Sequence, residues 1–311
     1  MSENQLLLAS GTLWKRLKEQ TEYALECGAL QPIPTEYEFV EQDNIRFLVR
    51  ILSNLSRKDE ARKQQEKKKV VTGKDFNPFL PYEEDLFVAD ISRTHLCLLN
   101  KYNVVDHHLL IVTREFEEQE NLLNLQDFQA LGSCMGEFEG LAFYNGGKIA
   151  GASQRHKHLQ IVPLPMVPDG EKIPIDRAIA TASFDNGIGV TSVGTLHATS
   201  LPFRHALAKL DVGWVHSPVE SAAEILECYL TLLKAVGIEG SDGMSGKQSG
   251  DYNLLVTREW MLVVPRSYED FQSISVNSLG FAGALLVKNQ EQMNIIKEQK
   301  PLTILGHVAA L

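Results

Sequence analysis

Basic residues are outnumbered in this 311-residue chain: 30 lysines and arginines stand against 40 aspartates and glutamates, a net charge of -10. Duplex nucleic acid and anionic membranes both need a cationic footprint, so neither is an expected partner. Cysteine is scarce too. Cys27, Cys97, Cys134 and Cys228 lie far apart with no C-x-x-C pair, which speaks against a disulfide framework and a structural zinc site. No apolar run is long enough to span a bilayer, and Met1 to Ser10 lack the basic and apolar regions of a secretory signal. A reducing cytoplasm is the expected location.

What is present is the composition of a folded protein, 44% hydrophobic and 23% charged, which supports a sizeable core. Leu13, Leu17, Ala24 and Leu25 recur at helical spacing before Gly28, predicting a helix over 12–27. Arg46 to Leu52 reads as a strand, and the charged run 57–69 as a solvated helix or loop. His95–Leu99 and Leu109–Val112 read as a hairpin, Leu125 to Glu139 as a helix, and Leu141–Asn145 and Arg155–Val162 as strands. Ser217-Pro218-Val219-Glu220 predicts a capping box opening a helix over 218–236, closed by Gly237.

These elements imply an α+β fold with an antiparallel sheet and crossing helices. A weak repeat lays Leu109–Arg114 on Met261–Arg266, in preference to a register pairing Val112–Glu115 with Val256–Glu259. Two related half-units follow: residues 1–163, an N-terminal segment plus the catalytic half; 164–215, a connector; and 216–311, a second half without the histidine run.

That run is His156-Lys157-His158-Leu159-Gln160. On a strand, alternate side chains share a face, so His156, His158 and Gln160 point one way and Lys157 and Leu159 the other. The preceding segment, Asn145 to Gln154, carries Gly146, Gly147 and Gly151, whose backbone N–H groups can approach an anion, with Ser153 and Gln154 as added donors. A histidine largely neutral at pH 7 can attack phosphorus without first losing a proton. An isolated His-x-His is more often packed, superficial or metal-bound, and two histidines alone complete no zinc shell. The succession of glycine loop and histidine strand points instead to a nucleophile beside a phosphate cradle.

The stretch FYNGGKIAGASQRHKHLQIV, Phe143 to Val162, resembles the active-site segment of the histidine-triad superfamily, in the H-x-H-x-Q form of its transferase branch. Gly28-Ala29-Leu30, Asn77-Pro78-Phe79, Leu201 to Ala206 and Ser275 to Gly283 extend the resemblance to the diadenosine tetraphosphate phosphorylase family, also called ATP adenylyltransferase. The resemblance implies a histidine-triad-like fold and gives His158 the role of nucleophile. Gln160 becomes the amide on the α-phosphate, and His156 a support for His158 or a buried structural group. Asn145, Gly151, Ser153 and Gln154 become the phosphate loop, Asn100 a ribose contact, and His108 a histidine beneath the active strand. Lys58, Lys74 and Lys288, with Asn277, Ser278 and Leu279, are implied to face the outer phosphates, although Asn277 or Ser278 could equally cap the following helix.

The implied reaction is phosphorolysis of diadenosine tetraphosphate by orthophosphate to ADP and ATP, reversibly, through an adenylyl-histidine. No covalent cofactor or protein-bound metal is implied; a divalent cation such as Mg2+ could accompany the nucleotide. Rival readings are adenylyl transfer from another donor such as adenosine phosphosulfate, hydrolysis, and a non-catalytic nucleotide-binding regulator.

Overall fold

The computed structural model describes residues 6–52, 77–167, 169–182, 188–191, 201–243 and 246–310. Lys58, Lys74 and the charged run 57–69 lie outside them. Helix α1 (Leu13–Glu26) forms where expected, burying Leu13, Leu17 and Ala24, and Gly28 follows at φ +79°, though Leu25 is exposed. Strand β2 (Ile45–Leu52) also forms, paired with a strand that periodicity did not predict, β1 (Thr35–Gln42). The signal for that hairpin is Asp43-Asn44, both at positive φ, as a tight turn between twisted strands requires.

The central element is a sheet of nine strands among the described residues. In chain order they are β3 (Phe87–Asp90), β4 (His95–Leu99), β5 (Leu109–Thr113), β6 (Gly140–Gly146), β7 (His158–Pro163), β8 (Ile188–Thr191), β9 (His205–Lys209), β10 (Tyr252–Val256) and β11 (Trp260–Pro265). Their spatial order is β3-β4-β5-β7-β6-β10-β11-β9-β8, and each neighbouring pair is antiparallel. Helix α2 (Leu125–Glu137) follows β5, a short helix α3 (Asp176–Ala180) precedes β8, and helix α4 (Pro218–Ala235) follows β9. Helices α1, α2 and α4 share one apolar core with Leu159, Ile161, Tyr144 and Leu254 of the sheet.

The opposite face is covered in two ways. A small apolar cluster of Phe79, Leu96, Leu98, Leu110 and Val112 lies over β4 and β5. Over β6, β10 and β11 sits a layer that includes β1, β2 and C-terminal elements. Those elements are β12 (Asp270–Phe271), β13 (Ile274–Ser275), α5 (Ser278–Phe281), β14 (Ala284–Val287), α6 (Gln290–Gln299) and α7 (Pro301–Val308), with β14 parallel to β2.

Two expectations need correction. The succession β4-β5-α2-β6-β7 recurs as β8-β9-α4-β10-β11, with mirrored spatial order meeting at the β6–β10 pair. The counterpart of β5 is therefore β9, not the 261–266 segment, and β8 and β9 arise within the stretch expected as a connector. Central strands such as β5 and β11 are buried throughout, so their apolar runs align with one another in almost any register. Helix α4 forms as predicted, but Ser217 makes no side-chain cap; the capping box stands at Asn124 and Asp127, opening α2.

Candidate active site

The histidine run enters the sheet three residues later than expected. Strand β7 begins at His158, whereas His156 makes only an isolated bridge with Glu118. The faces nevertheless divide as alternation predicts. The rings of His156 and His158 both lie against Phe79, at centroid distances of 5.6 and 5.2 Å, while Lys157 enters the other side.

His158 is buried, and its Nδ1–H donates to the His156 backbone carbonyl at 2.8 Å. This fixes the tautomer and leaves the lone pair on Nε2, which no described residue engages. Burial pushes the pKa of His158 down to about 4, against the smaller raising effect of that hydrogen bond, so the ring is neutral at pH 7. The His156 ring is held at both ends, by the Thr113 carbonyl at 2.8 Å and by the Asn77 amide at 3.0 Å. Its support of His158 thus comes from its main chain.

Beside His158, Gln160 is oriented by a chain of hydrogen bonds. The Asn100 amide donates to His108 Nδ1 at 3.2 Å, and His108 Nε2–H donates to Gln160 Oε1 at 3.0 Å. The carbonyl end of Gln160 is thereby consumed, leaving its NH2 group as the donor. Burial also drives His108 down to about pKa 4, so this polarity holds at neutral pH. Asn100, expected at the ribose, spends its amide on His108.

Lys157, the cation nearest in sequence, is unavailable to substrate. Its ammonium lies 2.6 Å from Asp127 and 3.0 Å from Glu117, and Asp127 in turn meets His95 Nε2 at 2.9 Å. Burial opposes the charge on Asp127, but Lys157 and His95 outweigh it and hold the carboxyl near pKa 2. This buried network ties β4, α2 and the start of β7 together on the side of the sheet away from the His156 and His158 rings. Nothing in the local sequence around Asp127 or His95 signals it.

The glycine loop is shaped by the second half of the chain. Gly151 has φ +90°, and a Cβ there would lie 2.9 Å from that of Asn277. The Asp251 carboxylate accepts from Ile149 N–H at 2.6 Å, and Asn253 donates to the Ala150 carbonyl at 2.8 Å. Asn145 is buried, with Oδ1 accepting from Asn253, from Ser278 N–H and from the Ser278 hydroxyl. Ser153 is exposed and Gln154 half-buried. Asn277 caps α5 by accepting from Leu279 N–H, the bland alternative for that residue, and the Ser278 hydroxyl is fully buried. Leu279 is half-buried; Lys288 is exposed just beyond Val287, which pairs with Ile51. Among the described residues no three His, Cys, Asp or Glu side chains converge as a metal site.

A neutral buried imidazole with one lone pair that no described residue engages, beside an amide donor and a glycine loop, is equipment for transferring a phosphorus-centred group by way of the histidine. The comparisons agree. Residues 3–181 match the Ap4A phosphorylase N-terminal domain and residues 199–310 the ATP adenylyltransferase C-terminal domain. The chain belongs to the Ap4A phosphorylase family, whose members are ATP adenylyltransferases. It is 28% identical to diadenosine 5',5'''-P1,P4-tetraphosphate phosphorylase 2 of Saccharomyces cerevisiae, over 84% of this chain and 82% of that one. Protein APA1 of the same organism is 28% identical over 68% and 67%. The crystal structure of yeast Ap4A phosphorylase Apa2 shares the fold, with a TM-score of 0.72 at 23% identity over 97% of this chain and 95% of that one. No helix among the described residues is long and apolar enough to cross a membrane.

Proposed function

We propose that this chain splits Ap4A with orthophosphate into ADP and ATP, reversibly, with His158 carrying the adenylyl group between the two half-reactions. The observation that carries the reading is the His158 tautomer: Nδ1–H is spent on a backbone carbonyl, and no described residue engages Nε2. Nε2 attacks one α-phosphorus, the N–P bond forms as the bridging P–O bond breaks, and ATP leaves. Positive charge developing on the ring is stabilised through the Nδ1–H bond to the His156 carbonyl, and negative charge on the phosphoryl oxygens by the Gln160 NH2 and the glycine loop. Orthophosphate then attacks the same phosphorus, and ADP leaves as His158 regains its lone pair.

Asn145, Ser153 and Gln154 serve this reading as phosphate-loop donors, and Lys58, Lys74 and Lys288 as cations for the outer phosphates. Any Mg2+ would accompany the nucleotide's own phosphates. The large sheet reads as two histidine-triad-like half-units, supported by the mirrored strand order and by Tyr144-Asn145 and Tyr252-Asn253 at their joint. Strands β7 and β11 are both six residues long and end in proline; Trp260 stands where His158 stands.

Gln160 favours phosphorolysis over hydrolysis, because an amide cannot exchange a proton near pH 7 and is a poor base for water. Without phosphate, the enzyme should release about one equivalent of ATP per active site and stall, as a covalent double displacement requires. Intact-mass analysis should then find an adenylyl adduct, absent in His158→Ala. Continuous AMP release without phosphate would replace the reading with hydrolysis, and the absence of any adduct would remove it.

A further inference from the structure

The ladder between β6 and β7 runs from Gly140 opposite Pro163 to Phe143 opposite Gln160. Continued in register, it would set Asn145 directly opposite His158. A side chain from elsewhere occupies that place. Gln119 Oε1 accepts from the His158 N–H at 2.9 Å, while Gln119 Nε2 donates to the Asn145 carbonyl at 3.0 Å and to the His158 carbonyl at 3.2 Å. One carboxamide thus satisfies both main-chain groups of the nucleophile and one on the facing strand.

Gln119 is itself held from several sides. It is 2% exposed, its N–H donates to the Arg155 carbonyl at 2.6 Å, and its carbonyl accepts from the Tyr144 hydroxyl. The wedge is therefore anchored through both its main chain and its side chain. It stands where β6 must part from β7 to release the glycine loop, and the parting begins at the residue that performs the chemistry. Direct pairing would bring the two strands to ordinary ladder spacing, about 4.5–5.5 Å between opposed Cα atoms, and draw the loop over His158.

We propose that Gln119 is a positioning residue: it holds β6 and β7 one carboxamide apart at His158, and so sets the distance and angle at which Nε2 meets the α-phosphorus between strand and loop. This rests on the adenylyl-histidine reading. A group that merely satisfied buried polar atoms would affect stability alone, whereas a spacer at the nucleophile must affect the rate of attack in molecules that are folded.

The test is single-turnover adenylylation by Ap4A without phosphate. The amplitude of ATP release counts folded active sites, and the rate constant reads the attack geometry. Gln119→Met keeps length and shape without hydrogen bonds; Gln119→Glu keeps the acceptor for His158 N–H but cannot donate to either carbonyl. Both should adenylylate about 100-fold more slowly or worse, the scale of an ångström-level misplacement, with AMP affinity within about threefold of wild type. Wild-type rate constants with only a lowered melting temperature would overturn the proposal. If Gln119→Met fails to fold, Gln119→Glu decides by the same criterion. Wild-type protein that forms no adduct by intact mass would remove the underlying reading, and this proposal with it.

Discussion

The burial that keeps His158 neutral makes the fold sensitive to acid, and the two effects can be measured separately. His158 and His108 both have pKa values pushed down to about 4 by burial, against about 6.5 when unfolded. Between those values the unfolded chain binds protons that the folded one refuses, so stability is full above pH 6.5 and falls as the pH drops toward 4. Each histidine should cost about 2 kcal/mol on going from pH 7 to pH 5, a large share of a typical folding free energy. Urea unfolding followed by tryptophan fluorescence would measure this loss. His158→Gln, which cannot take up a proton, should lose about 2 kcal/mol less than wild type over that interval. Equal pH dependence for wild type and variant would refute the reasoning. In wild-type protein that remains folded, the single-turnover rate should stay nearly flat from pH 8 to 5.5. A rate falling with a midpoint near 6.5 would show that the attacking imidazole is not shielded.

Removing the buried ammonium with Lys157→Met leaves the buried Asp127 carboxylate with His95 as its remaining ionisable partner, and should destabilise the fold by about 3 kcal/mol in urea titrations at pH 7. Gly151→Ala combines a left-handed backbone with a Cβ driven against Asn277, and should raise KM for Ap4A more than it lowers the melting temperature in proportion. Unchanged KM would show that the loop does not cradle the phosphates.

Local signals carried the helices and several of the strands. The periodicity of α1, Pro218 opening α4 and the apolar hairpin β4–β5 depend on neighbours in sequence, and all three were legible. The alternation of His156, His158 and Gln160 survived even though β7 starts three residues later than expected, because the bridge at His156 keeps the backbone extended. Gln119 was invisible for the opposite reason. It lies among the glutamates of the segment Glu115 to Glu120, and its value comes from strands 26 and 39 residues further along. Asn145 read as a phosphate donor, yet half of its side chain is committed to Ser278 and Asn253, over a hundred residues away. Ser217 and Asn124 are both good capping residues; only the backbone angle at each decided which one formed the box.

Two amides of the site, Gln160 and Asn145, have a common logic that no local pattern carries. A carboxamide has an acceptor end and a donor end, and an anionic phosphate accepts only from the donor end. On one side, His108 donates to the oxygen of Gln160. On the other, buried Arg266 donates to the oxygen of Asn253 and to the carbonyls of Val276 and Val308. Burial lowers the pKa of Arg266 only to about 10, so it remains charged at pH 7 and fixes Asn253 as a donor to Asn145 Oδ1. Each relay ends by occupying an amide oxygen, from Asn100 through His108 to Gln160 and from Arg266 through Asn253 to Asn145. Both amides are thereby left with NH2 groups to offer. The second half of the chain, without a histidine of its own in β11, thus contributes to the site through polarity: the Ser278 N–H and the arginine-fixed Asn253 both occupy the oxygen of Asn145 and leave the NH2 end of that amide.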